Sequence, residues 1–234
     1  MSSYAVSFLK SHIIEIVLSI PKTVYFNFKV LPLPKAIRMP FIVSKNVRLE
    51  GVNRDTFVVN DVNGSLTTAS MRIGFGESKN ARRESPRGLI SIGKNGKIVV
   101  GSGLGLSQGC VLIANEACLT LGDNFRCNYS TTIDCYGEDI TFGNNVVCGW
   151  KVTVRNGDGH TVLHQGRSGS ITKKISVGDH VWICANATVL KGVNIGKDSV
   201  VAYGSILTKT VESEGILYGG IPARVLRENV NWKE

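Results

Sequence analysis

Between Val177 and Glu212 the chain repeats a six-residue beat six times without a slip. The lead positions hold Val177, Ile183, Val189, Ile195, Val201 and Leu207, and the fifth positions hold Val181, Ala187, Val193, Ser199, Ser205 and Val211. This beat fits neither the template of an amphipathic helix nor the alternation of a half-buried hairpin. It predicts a solenoid of short strands, in which each coil buries its large lead residue and its small fifth residue against the next coil. Gly178, Asn186, Gly192, Asn194, Gly196 and Gly204 fall between strands, where corners need unusual backbone angles.

The beat extends upstream with less regularity. Leu121, Cys127 and Ile133 lead one coil, and Phe142, Cys148 and Val154 lead another, with three residues inserted at about Asp139 to Thr141. Ile42-Val43, Val47-Arg48-Leu49, Phe57-Val58-Val59, Ile90-Ser91-Ile92 and Ile98-Val99-Val100 read as earlier strand faces separated by glycine or asparagine turns. The expected organisation is residues 1–40 as an N-terminal extension, 41–215 as the solenoid and 216–234 as a last strand with a short helical tail.

Residues 4–20 are apolar but broken by Lys10, His12 and Glu15, too interrupted to span a bilayer. They predict an amphipathic helix, stopped by Pro21, that packs on the solenoid end or lies on a membrane surface. Residues 21–40 carry four prolines and read as an extended, aromatic-rich connector.

Of the formal charge of +9, residues 1–54 carry +6, from eight lysines and arginines against Glu15 and Glu50. The cations are dispersed and no aromatic platform accompanies them, which argues against nucleic acid and for a polyanionic small molecule or anionic lipid. The six cysteines form no CxxC pair, and no secretory leader is expected before them. They are expected to be reduced residues of a cytoplasmic protein.

From His160 to Lys174 the beat disappears, then resumes at Ile175-Ser176-Val177-Gly178. A strict repeat broken once by an extruded loop marks a functional candidate. The loop opens with Asn156-Gly157-Asp158-Gly159-His160, and a histidine there can act as a general base near neutral pH.

Gly178-Asp179-His180-Val181-Trp182-Ile183, Asn186-Ala187-Thr188-Val189-Leu190-Lys191-Gly192 and the closing Gly220-Ile221-Pro222-Ala223-Arg224-Val225 resemble the hexapeptide-repeat sugar O-acetyltransferases of the maltose, galactoside and capsule-polysaccharide type. The leader Lys22-Thr23-Val24-Tyr25-Phe26-Asn27-Phe28 also resembles capsule-associated members. The resemblance implies an all-β fold, a left-handed parallel β-helix with three hexads per triangular coil. It implies acetyl-CoA as donor, no metal, and a homotrimer whose active sites lie between subunits.

Residue by residue, Gly159-His160 matches the family's catalytic histidine, and Asn128, five residues before Ile133, matches an asparagine beside the acceptor. Where the family often has paired acids after that isoleucine, only Asp134 stands here. The carboxylate partner of His160 is therefore open among Asp134, Asp158 and Asp139, an aspartate there serving to hold one imidazole tautomer. Trp182 resembles the family tryptophan near acceptor and thioester. Ala185 and Tyr203 match positions along the pantetheine arm, although Tyr203 is bulky where small residues are usual. Thr208, Lys209, Arg224 and Arg227 match positions that meet the adenine nucleotide and its phosphates.

The expected activity is transfer of acetyl from acetyl-CoA to a sugar hydroxyl in capsular or surface polysaccharide synthesis. Two other readings remain. One is a zinc enzyme like the carbonic anhydrases built on this scaffold, using His160, His164 and His180. The other is a non-catalytic, carbohydrate-binding solenoid.

Overall fold

The computed structural model describes residues 3–61, 64, 66–76, 86–209 and 213–233, with side chains from His12 onward. The chain forms a left-handed parallel β-helix. Its three faces carry nine, seven and six strands among the described residues.

The register is that of the hexads. Cys127, Cys148, Ile183 and Val201 stack on the first face. Ile133, Val154, Val189 and Leu207 stack on the second. Leu121, Phe142, Val177 and Ile195 stack on the third. None of these twelve is more than 3% exposed. Burying a residue of this size contributes about 1.5–3 kcal/mol, so the interior ladder is the main source of stability. The last hexad leaves the described residues after Lys209, and Val211 and Glu212 lie outside them.

The corners are tied by side chains that take the backbone N–H of a neighbouring coil. Asp123 accepts from Ser102 N–H at 2.7 Å, Asn144 from Asp123 N–H at 2.8 Å, and Asp179 from Asn144 N–H at 2.6 Å. Asp179, part of the stretch that resembles the acetyltransferases, therefore has a structural duty at its corner.

The first coil would expose an open strand edge, and helix α1 (Ser3–Val30) covers it. Its inward stripe is polar apart from Phe26 and Val30. Asn27 Oδ1 accepts from Phe41 N–H at 3.1 Å while its amide donates to Phe41 O at 2.9 Å. Thr23 Oγ1 accepts from Val43 N–H at 3.0 Å, Ser19 Oγ from Lys45 N–H at 2.9 Å, and Glu15 from Ser44 Oγ at 2.9 Å. Lys22 donates to Lys45 O and Val47 O at 2.9 and 2.7 Å, and burial lowers its pKa. Phe26 packs edge-on against Phe41 and Phe57 with centroids 5.0 and 5.3 Å away.

Two expectations are corrected here. Pro21 does not stop α1, so the first ten residues of the supposed extended connector are helical, and a second short helix, α2 (Leu33–Ala36), follows. A proline inside a helix costs about 3 kcal/mol. The burial of Phe26, Asn27 and Val30 on the first coil offsets that cost. The C-terminal tail is not helical either. Ala223–Arg227 is a strand, antiparallel to Leu217–Gly220. A segment this short makes a marginal helix, whereas pairing covers the last open edge of the first face.

All six cysteines are free. Cys127 and Cys148 fill lead positions of the interior ladder, and burial pushes the Cys135 and Cys184 thiols up to about 12 and about 11.

Candidate functional site

Strand Thr153–Arg155 ends on the second face with Val154 inward and Arg155 outward, and the chain then leaves the prism. Asn156 anchors the exit. It is fully buried, its Oδ1 accepts from Tyr136 N–H at 2.9 Å, and its amide donates to Glu138 O. The two legs of the excursion then meet: Lys173 N–H donates to Asn156 O at 3.1 Å, Asp158 N–H to Ile171 O at 3.1 Å, and Gly157 bridges Thr172. Beyond that gate, Leu163–His164 pairs antiparallel with Arg167–Ser168 in an exposed hairpin. The departure thus begins at Gly157 rather than at His160.

His160 stands at the foot of this excursion, exposed to solvent. Gly159 before it takes φ +80°, a left-handed angle that turns the imidazole-bearing residue out from the prism. A Cβ at Gly159 would lie 3.6 Å from Arg155 Nη2, so the guanidinium sits beside the glycine that precedes the histidine.

The three carboxylates considered for His160 are all engaged elsewhere in the chain. Asp134 pairs with Arg155 Nε at 3.3 Å. Asp139 accepts from Cys118 N–H at 2.7 Å. Asp158 pairs with Lys191 Nζ, which also donates to Ser170 O at 2.5 Å and Ile171 O at 3.4 Å. Lys191 therefore clamps both legs of the loop. Sequence reasoning missed it; the clue was its position directly after Leu190, which stands in register with Arg155. Thr208 and Lys209 follow Leu207, in register with Val189, so they continue the same column and are exposed.

A second group lies across the prism. Arg72, Gly105, Arg126, Val147 and Trp182 occupy one outward column on the first face. Gly105 has no side chain, and the Arg126 stem packs over part of the gap this leaves, since a Cβ on Gly105 would come within 3.1 Å of it. A cavity of about 200 Å³ opens around the gap, lined by Arg72, Phe75, Ser107, Arg126 and Asn128. Trp182 lies further along the column, with its ring 5.9 Å from Trp232.

Ala185 and Tyr203 sit on the adjoining corner, joined by Gly204 N–H donating to Ala185 O at 3.0 Å. There the backbones come close, since a Cβ on Gly149 would fall 2.5 Å from Ala185 N. Tyr203 projects outward, 72% exposed. Arg224 and Arg227 are exposed on the closing strand.

Within one chain, His160, Asp158, Asp134, Thr208 and Lys209 gather on one edge of the second face, and Asn128, Trp182, Ala185 and Tyr203 gather on the other side of it. The single chain does not join them. His180 belongs to neither group: its Nδ1 pairs with Asp198 at 2.8 Å and its ring stacks on Trp232 at 4.4 Å.

Residues 174–209 match the family described as bacterial transferase hexapeptide, six repeats. That stretch contains the strictest hexads of the interior ladder, Val177 to Leu207. The chain is 37% identical over 111 residues to the galactoside O-acetyltransferase of Escherichia coli strain K12, covering 46% of this chain and 53% of that protein. It is 26% identical over 193 residues to the polysialic acid O-acetyltransferase of Neisseria meningitidis, covering 82% of this chain and 70% of that one. The chain spans about half the length of the first curated relatives it matches. Among solved structures, the polySia specific acetyltransferase NeuO aligns over 77% of this chain and 90% of its own, with a TM-score of 0.55 at 20% identity, a likeness of fold.

Proposed function

We propose that the protein transfers an acetyl group from acetyl-CoA to a hydroxyl of an acidic sugar, in capsular or surface polysaccharide synthesis. One observation carries this reading: a solvent-facing histidine at the foot of an excursion that breaks a hexapeptide solenoid whose named relatives include sugar O-acetyltransferases.

In this reading the His160 imidazole takes the proton of the acceptor hydroxyl as its oxygen attacks the thioester carbonyl. The tetrahedral intermediate collapses with cleavage of the C–S bond, and the imidazolium returns the proton to the leaving thiolate of CoA. No covalent enzyme intermediate is required. Because His160 and Asn128 stand on different edges of one prism, a complete site brings the edges of two protomers together, which favours a homotrimer with its sites between subunits.

Thr208, Lys209, Arg224 and Arg227 supply hydroxyl and cationic groups for the nucleotide end of CoA, and the corner at Ala185 and Tyr203 flanks its pantetheine arm. The cavity beside Asn128 takes the acceptor, and the guanidinium groups of Arg72 and Arg126 on its wall select a sugar carrying a carboxylate or phosphate.

The test is release of CoA thiol from acetyl-CoA with acidic and neutral saccharides. His160→Ala lowers turnover by about 10² to 10⁴ while CoA still binds, and near-normal turnover in that variant overturns the assignment. Arg126→Gln raises KM for the acidic acceptor by about tenfold or more, through loss of a charge-assisted hydrogen bond, and leaves KM for acetyl-CoA unchanged.

A further inference from the structure

Helix α1 is amphipathic in the reverse of the usual sense. Its polar residues Glu15, Ser19, Lys22, Thr23 and Asn27 are turned onto the first coil, where they bond strand backbone or Ser44. Most of its apolar residues face away, while Phe26 and Val30 are buried on the first coil. Ile13, Ile14, Val17, Leu18, Ile20, Val24, Tyr25 and Phe28 are all exposed, Ile14 at 74%, and Leu33 and Ile37 of the adjoining turn extend the patch. Ten of the twenty exposed large hydrophobic residues among those described thus fall between Ile13 and Ile37. A water-soluble surface rarely carries so continuous a patch without an occupant.

The charges around it indicate which occupant. Glu15, the acidic residue of α1, points inward to Ser44. Lys29 reaches over the Tyr25 ring at 4.8 Å, Arg54 donates to Phe28 O at 3.3 Å, and exposed Arg38 follows Ile37. Cations therefore rim an apolar face from which the acid is withdrawn. A bilayer interface with anionic headgroups has the complementary layers, hydrocarbon beneath and negative charge at the rim. The patch lies on the face of α1 turned away from the first coil, and none of its residues lines the cavity beside Asn128. No helix among the described residues is long and apolar enough to cross a membrane, and this face needs only to lie on one.

We propose that the outer face of α1, with Leu33 and Ile37, docks the solenoid end-on onto an anionic membrane surface, the apolar residues entering the headgroup boundary and Lys29, Arg38 and Arg54 meeting lipid phosphates. This stands apart from the acetyl-transfer reading, because neither His160 nor a residue lining the acceptor cavity is among the docking residues.

The full-length protein is floated with vesicles of phosphatidylcholine alone or mixed with phosphatidylglycerol. Binding to the mixed vesicles should be at least about tenfold tighter and should weaken with salt. The paired change Ile14→Glu and Leu18→Glu abolishes it with unaltered thermal unfolding, whereas Arg38→Gln with Arg54→Gln removes only the preference for anionic lipid. Turnover on a water-soluble acceptor stays unchanged in both variants, which separates this test from that of the catalytic site. Absence of binding to either vesicle overturns the proposal. So does a protein that ignores vesicles but self-associates through Ile14 and Leu18, which would assign the face to a second copy of the chain.

Discussion

The coils from Thr132 to Leu207 and the helix that closes the N-terminal end stabilise the same solenoid by opposite means. A coil buries aliphatic leads and leaves its polar corners to pair with the next coil, as Asp123, Asn144 and Asp179 do. Helix α1 buries polar groups beside Phe26 and Val30, because what the first coil lacks is hydrogen-bond partners along its open edge. Asn27, fully buried, serves Phe41 as a neighbouring strand would, with one donor and one acceptor. Coils depend on a repeated pattern, whereas the cap depends on a few single residues.

That contrast can be tested from its largest consequence downward. Ile133→Ala, in the fully buried second-face ladder, should cost about 2–5 kcal/mol by thermal or denaturant unfolding, because a cavity opens between stacked coils that cannot collapse. A cost below 1 kcal/mol would mean that the ladder is not the main source of stability. Asn27→Ala strands a buried N–H and a carbonyl of Phe41 and should cost about 1–3 kcal/mol. Its signature is local: hydrogen exchange should quicken at 41–59 while strands from Thr132 onward keep their protection. A uniform loss of protection would show that cap and coils unfold as one unit.

The smallest effect is expected at the clamp on the excursion. Lys191→Ala removes a partly exposed pair with Asp158 and two carbonyl contacts, worth about 0.2–1 kcal/mol for the ion pair, so global stability should barely move. Loosening of the loop foot should instead appear as faster proteolysis within 158–171 and as lower turnover at unchanged KM for the acceptor. A change confined to KM would assign Lys191 to substrate binding.

The same contrast explains what was legible in the sequence. Wherever stacking repeats a requirement, the pattern states it many times: the leads of every coil from Leu121 to Leu207 were readable from spacing alone, and so was a break in the beat, although the chain leaves the prism at Gly157, three residues before His160. The ends were not. Pro21 is a strong local signal against helix, overridden by the packing of Phe26 and Val30 on the first coil, which lies far along the chain. The tail after Gly220 resembled a helix locally, yet an unpaired edge drew it into a strand. At the candidate site, the position of His160 was legible, and the partners of the carboxylates were not. Asp158 has Lys191 and Asp134 has Arg155 because coils that are distant in sequence lie side by side, a neighbourhood that spacing does not list.

The most direct test of the account is a crystal structure with CoA bound. It should place the CoA thiol within hydrogen-bonding reach of the His160 imidazole, in a cleft that also contains Asn128 of an adjoining protomer, with the nucleotide end beside Lys209 and Arg224. A thiol bound away from His160, or a monomer whose CoA touches only one edge of the prism, would contradict it.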